Sequence, residues 1–154
     1  MSGYIMDMRK LVGTRPILQC GASIIVENAE GEILLQLRTD EPSWAYAGGS
    51  VELDERVEDA AKRELYEEIG LIAEELEFLG VFSGPEMHHV YPNGDQVSNI
   101  DMVYICRRYK GTLRCDNDEV KQLGFFSIDS LPSEIFKPNA AAIQRYIECR
   151  TGRK

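Results

Sequence analysis

Ile5, Met8, Leu11 and Val12 recur at three- and four-residue spacing and Gly13 follows them, which predicts a short amphipathic helix over residues 4–12 lying across a sheet. From Ile17 the pattern becomes extended. The stretches "ILQCGASIIV" and "EILLQL" flank the polar "ENAEGE", with Gly31 placed to reverse the chain, so two antiparallel strands joined as a hairpin are expected. "TDEPSWAYAGGS" reads as a turn-rich connector. The strongest helical pattern is "ERVEDAAKRELYEEIG", where Ala61, Leu65 and Ile69 form one apolar stripe and Gly70 stands where a left-handed cap is favoured. Strands follow at "LEFLGVFSG", "VSNIDMVYICRRY" and "QLGFFSI", with an Asn-Gly turn signal in "YPNGDQ". "NAAAIQRYIECR", residues 139–150, predicts a C-terminal helix with Asn139 as its N-cap. Strands interleaved with helices and joined mostly by hairpins imply an α/β chain: an α/β/α sandwich with a mixed β-sheet.

The 154 residues fit one domain, 1–154, with an N-terminal helical segment 1–13. A net charge of -9 with no compensating basic stripe argues against a nucleic-acid polymer as partner. Cys20, Cys106, Cys115 and Cys149 are widely spaced with no C-x-x-C pair, which predicts reduced thiols. The N-terminus is too short and too polar for a secretory segment. No apolar run approaches the ~20 residues of a membrane span. A cytoplasmic protein that binds no membrane is expected.

Charge also changes the picture locally. Eleven of the 26 acidic residues lie between Glu52 and Glu77. On a helix, residues at i, i+3 and i+4 share a face, so Glu64, Glu67 and Glu68 project together. Three carboxylates so placed repel one another unless a cation lies between them, and hard divalent ions take oxygen ligands. Glu55 can add an oxygen, and a backbone carbonyl at Gly48 or Gly49 can approach closely. Arg63 can fix a carboxylate through a bidentate pair. An isolated E-x-x-E-E also reads as a solvated helix face. Here the glycines, Arg63 and Glu55 need explaining as well.

Residues 48–71, "GGSVELDERVEDAAKRELYEEIGL", resemble the Nudix box, G-x5-E-x7-R-E-U-x-E-E-x-G-U with U apolar. Gly49, Glu55, Arg63, Glu64, Leu65, Glu67, Glu68, Gly70 and Leu71 fill every specified position. The resemblance, to the MutT-like Nudix hydrolases, extends more weakly to "EILLQLR" and "DEVKQLGFFSIDSLP". It implies a Nudix fold with the box as a loop-helix-loop, and hydrolysis of the pyrophosphate of a nucleoside diphosphate linked to a moiety X with Mg²⁺ or Mn²⁺. ADP-ribose, a nucleotide sugar and a nucleoside triphosphate are the substrate classes it leaves open. By the same resemblance Glu64, Glu67 and Glu68 are metal ligands, the Gly48 carbonyl completes the shell, Arg63 orients the glutamates, and Glu55 supports the site. The general base is Glu64 first, with Glu119 the loop acid that stands out.

Many family members carry Pro before the glycine pair and Gly before the first box glutamate, where this chain has Ala47 and Asp54. Asp tolerates left-handed backbone better than most residues. Arg38 and Trp44, with Tyr46, can stack a base or contact phosphate, or can simply pack. His88 and His89 read as exposed loop residues. The N-terminal helix can support a homodimer. A Nudix-fold regulator that binds nucleotide without cleaving it is the alternative, although such proteins usually lack box glutamates and none is lost here. An isoprenoid diphosphate isomerase is disfavoured by its missing cysteine context.

Overall fold

The structure is a computed structural model that describes residues 3–115 and 118–152. The remaining residues of the expected domain 1–154 lie outside that description. In chain order the elements are α1 (Tyr4–Val12), β1 (Ile17–Val26), β2 (Ile33–Arg38), β3 (Trp44–Ala45), β4 (Ala47–Ser50), α2 (Val57–Ile69), β5 (Leu71–Phe82), β6 (His88–Val90), β7 (Gln96–Gly111), β8 (Val120–Phe126) and α3 (Ala140–Thr151).

The strands divide between two sheets. A mixed sheet has the order β4-β1-β7-β5 with β6 also on β7, and its β1–β7 pair is parallel. A smaller antiparallel sheet has the order β3-β2-β8. The expected hairpin between the first two strands is therefore corrected: it closes at a single bridge, Glu27 to Ile33, and the chain then crosses to the other sheet. Both strands carry consecutive buried residues, Ala22–Val26 and Ile33–Gln36. Such runs suit strands covered on both faces. Each takes a central position in its own sheet, with β1 between β4 and β7.

Alternation along the strands builds two cores. Ala22, Ile24 and Val26 of β1 and Tyr104 and Cys106 of β7 meet Ala60, Ala61, Leu65 and Ile69 of α2. Ile25, Val103 and Ile105 meet Ile33 and Leu35 of β2 and Ala142, Ile143 and Tyr146 of α3. Helices thus cover opposite faces, as an α/β/α sandwich requires. Leu65 is fully buried on the α2 stripe, so truncation to Ala costs about 2–5 kcal/mol.

Several local expectations hold. The helix over 4–12 is α1, and Gly70 adopts φ 87° with its N–H donated to the Tyr66 carbonyl. The loop after β6 closes with the Tyr91 N–H on the Asp95 carbonyl and the Gly94 N–H on the Tyr91 carbonyl. Three differ. The glycine pair, read as part of a connector, lies in β4, with Gly48 opposite Ser23 and Gly49 opposite Ala22. α1 has no buried residue and lies outside both cores, whose faces α2 and α3 already cover. It is tied instead by polar contacts: the Tyr4 N–H donates to Glu52 Oε2 at 2.9 Å, and Arg9 donates to the carbonyls of Gly13, Arg15 and Gln96. Asn139 precedes α3 but does not cap it with its side chain, because its Oδ1 accepts the Tyr46 N–H at 3.0 Å.

Candidate active site

α2 sets the spacing of the box acids, β4 supplies the floor beside them, and β2 closes the inner side. Arg63 is the hub. Its Nε and Nη2 donate to the two carboxylate oxygens of Glu55 at 2.8 and 2.9 Å, its Nη1 to Glu64 at 2.8 Å and to Glu67 at 3.3 Å. Its Nη2 also donates to the Ser50 carbonyl at 3.1 Å, which binds the helix to the end of β4. Glu55 receives a further bond from the Glu52 N–H at 3.1 Å, and its pKa is held below the ordinary carboxylate value chiefly by Arg63. Arg63 is correspondingly held protonated, first by Glu55.

Glu68 lies on the inner side of the same helix, 6% exposed. The Gly48 N–H donates to its Oε1 at 3.2 Å and the Gln36 Nε2 donates to its Oε2. Burial raises the pKa of Glu64 and, more strongly, that of Glu68, and the neighbouring acids Glu64 and Glu119 push Glu68 further in the same direction. Glu67 stands at the outer rim with its side chain 57% exposed.

Both glycines make room for a neighbouring side chain rather than serving turn geometry. A Cβ on Gly49 would stand 2.4 Å from Cδ of Glu64, and one on Gly48 would stand 2.1 Å from the Ser23 Oγ. Ser23 in turn donates to Asp101 at 2.8 Å, and Tyr46 donates its hydroxyl to the other Asp101 oxygen at 3.0 Å. This buried acid beneath the glycine strand has no motif in the sequence. Among the described residues no group of three His, Cys, Asp or Glu side chains is gathered as a ready metal cage. Arg63 draws Glu55, Glu64 and Glu67 toward itself, while Gln36 and Gly48 hold Glu68.

Glu119 approaches from the loop before β8. That loop is fastened to the β2–β3 connector by Thr39, whose Oγ1 donates to the Asp118 carbonyl at 2.6 Å and whose N–H donates to the Glu119 carbonyl at 3.2 Å. Arg38 is placed differently from the box acids: both of its side-chain hydrogen bonds go to Asp40, at 2.9 and 2.6 Å, and its guanidinium lies 4.1 Å over the Phe136 ring. Trp44 packs edge-on against Phe126, with ring centroids 4.9 Å apart, at the border of the α3-side core. His88 and His89 are not loop residues, since they belong to β6. His89 is hydrogen-bonded to Glu41 at 2.8 Å and set edge-on between Tyr91 and Phe136.

The profile of the NUDIX domain family matches residues 18–147. Over 126 residues, 80% of this chain and 70% of the relative, the sequence is 34% identical to the ADP-ribose pyrophosphatase of Methanocaldococcus jannaschii. Over 72 residues it is 36% identical to an RNA pyrophosphohydrolase of Pseudomonas putida, spanning 47% of this chain and 43% of that protein. The structure is similar to that of a MutT NUDIX hydrolase from Burkholderia pseudomallei, with a TM-score of 0.71, 28% identity, and coverage of 85% of this chain and 98% of that one. With the box geometry in place and the family profile spanning most of the chain, this protein belongs to the Nudix family and is a Nudix pyrophosphohydrolase.

Proposed function

We propose that the protein cleaves the pyrophosphate linkage of a nucleoside diphosphate joined to a moiety X, with Mg²⁺ or Mn²⁺ held by Glu64, Glu67 and Glu68, the Gly48 carbonyl, and Glu55 in support. The observation that carries this reading is the Glu64–Glu68 pair, two acids one helical turn apart on α2, with Glu68 buried and its pKa pushed further up by the charge of Glu64. Two ionised carboxylates so close are stable only with a proton or a cation between them, and an all-oxygen donor set suits Mg²⁺ and Mn²⁺. Gly49 fits the same assignment, because a side chain there would occupy the space of the Glu64 carboxylate.

When bound, the cation neutralises the diphosphate charge and makes water a stronger acid. The chain's own residues do the rest. Arg63 fixes Glu55, Glu64 and Glu67 in one orientation. Glu64 is the first choice for the base that takes a proton from water, because burial raises its proton affinity above that of an ordinary carboxylate. Glu119 is the second choice, an acid of the loop before β8 whose charge raises the pKa of Glu68.

ADP-ribose is the first substrate to try, since the archaeal relative is named for it and aligns over 80% of this chain. Nucleotide sugars and nucleoside triphosphates follow. No helix among the described residues is long and apolar enough to cross a membrane, and the proposed compartment is the cytoplasm. α1 leaves Leu11 78% exposed and is the proposed homodimer contact, which sedimentation measures.

A panel of these nucleotides incubated with Mg²⁺ or Mn²⁺ and resolved by product mass names both the substrate and the bond cut. Glu67→Gln and Glu68→Gln are expected to abolish turnover while leaving the fold intact. Unchanged turnover in both removes the metal assignment, and binding without any product supports the regulator instead.

A further inference from the structure

We infer that Gln36, a residue of β2 outside the box, is a positioning residue that sets the Glu68 carboxylate for divalent-cation binding; this rests on the metal-dependent reading above. Arg63 donates to Glu55, Glu64 and Glu67, and Glu68 is held from the opposite side. The donor there is the Gln36 Nε2, a charge-assisted contact to Oε2, while the Gly48 N–H takes Oε1.

Packing alone does not account for a glutamine at this position. Ile33, Leu34 and Leu35 precede it in one buried run, and Gln36 is itself only 6% exposed. Its Oε1 is buried with no hydrogen-bond partner among the described residues. An unpaired buried amide oxygen opposes folding, so a leucine would fill the space at less cost. The compensating contact is the one to Glu68. The amide cannot turn over without setting Oε1 against a carboxylate oxygen, so its orientation follows from its partner.

The platform beneath it is rigid. β2 is the central strand of the smaller sheet, and Gln36 is registered against Ala45 on one side and Leu123 on the other. A ligand carboxylate held by an outer hydrogen bond from such a strand keeps one rotamer, and loss of such outer contacts lowers metal affinity about 10- to 100-fold.

The test is a titration with Mn²⁺ followed by electron paramagnetic resonance on the full chain, comparing wild type, Gln36→Met, Gln36→Asn, Glu68→Gln and the Gln36→Met/Glu68→Gln double variant, with metal-free unfolding temperatures measured alongside. Gln36→Met is expected to raise the Mn²⁺ Kd about 10- to 100-fold. Gln36→Asn, which withdraws the amide by one methylene, is expected to raise it less. The double variant is expected to bind no worse than Glu68→Gln, because Gln36 acts through Glu68. A Kd unchanged in Gln36→Met overturns the role, as does an additive loss in the double variant, and a lowered unfolding temperature with unchanged Kd assigns Gln36 to packing alone. Should Gln36→Met fail to fold, Gln36→Asn decides by the same criterion. Wild type that binds no Mn²⁺ overturns the metal reading itself, an outcome distinct from equal binding by wild type and variant.

Discussion

Gly49 lies against the carboxylate of Glu64, where a Cβ would come within 2.4 Å of Cδ and 2.5 Å of Oε1. Gly49→Ala therefore displaces the acid proposed as both ligand and base. Misplacement of a reacting group by ~1 Å is enough to cost about 10²-fold in rate. The expected outcome is a loss of kcat/KM of that order with a cooperative unfolding transition retained. Full activity in Gly49→Ala would show that Glu64 works from another position.

Arg63 makes contacts in three directions at once, to Glu55, to Glu64 and Glu67, and to the Ser50 carbonyl. A lysine keeps the charge but cannot donate in a fixed fork. Arg63→Lys is expected to lower kcat/KM about 10- to 100-fold, as loss of contacts that orient metal ligands does. Steady-state kinetics across a range of Mg²⁺ concentrations checks this. Recovery of wild-type kcat in Arg63→Lys at any Mg²⁺ level would mean that charge alone suffices.

Asp54 stands where many family members carry Gly, and it is the non-glycine residue with positive φ among those described, at 63°. The left-handed region costs roughly 1–2 kcal/mol for ordinary L-residues and less for Asp. Asp54→Gly should therefore be neutral or slightly stabilising, and Asp54→Val destabilising by about 1 kcal/mol or more. Urea denaturation of the three proteins decides it. Equal stability of Asp54→Val and wild type would remove the conformational explanation.

Asp101 accepts hydrogen bonds from Ser23 and Tyr46, yet burial raises its pKa above the ordinary value. A group whose folded pKa is raised binds its proton more tightly in the folded state. Its contribution to stability is then full below the unfolded pKa of about 3.9 and is lost as pH rises through the folded value. The stability of wild type relative to Asp101→Asn should accordingly decline as pH is raised from about 4, and level off once Asp101 is ionised in the folded state. Denaturation curves for the two proteins that run parallel across this range would place the titration elsewhere.

The placing of acids along α2 was legible in residues 48–71 because helical geometry is local. The i, i+3 and i+4 spacing puts Glu67 and Glu68 each within reach of Glu64, and Arg63 lies beside Glu64 and about one turn from Glu67. Gly70 as a cap, the helix over 4–12 and the Asn-Gly reversal at 93–94 were legible for the same reason, since each depends on neighbours in the chain. The start of β5 was hidden by its run of acids, although Leu71 and Ala73 alternate inward with Ile72 and Glu74 outward.

What the tertiary structure decided lies between residues far apart. Gln36 meets Glu68 across 32 positions, Tyr46 meets Asp101 across 55, and His89 meets Glu41 across 48, and no periodicity records such pairs. The division into two sheets, which sets β1 and β2 in central positions of separate sheets, was likewise decided by packing across the chain. Spacing along the chain determined the acids and the arginine that links them; packing across it determined which strand holds Glu68 and what lies beneath the glycines, because contacts of that kind arise only when distant segments fold together.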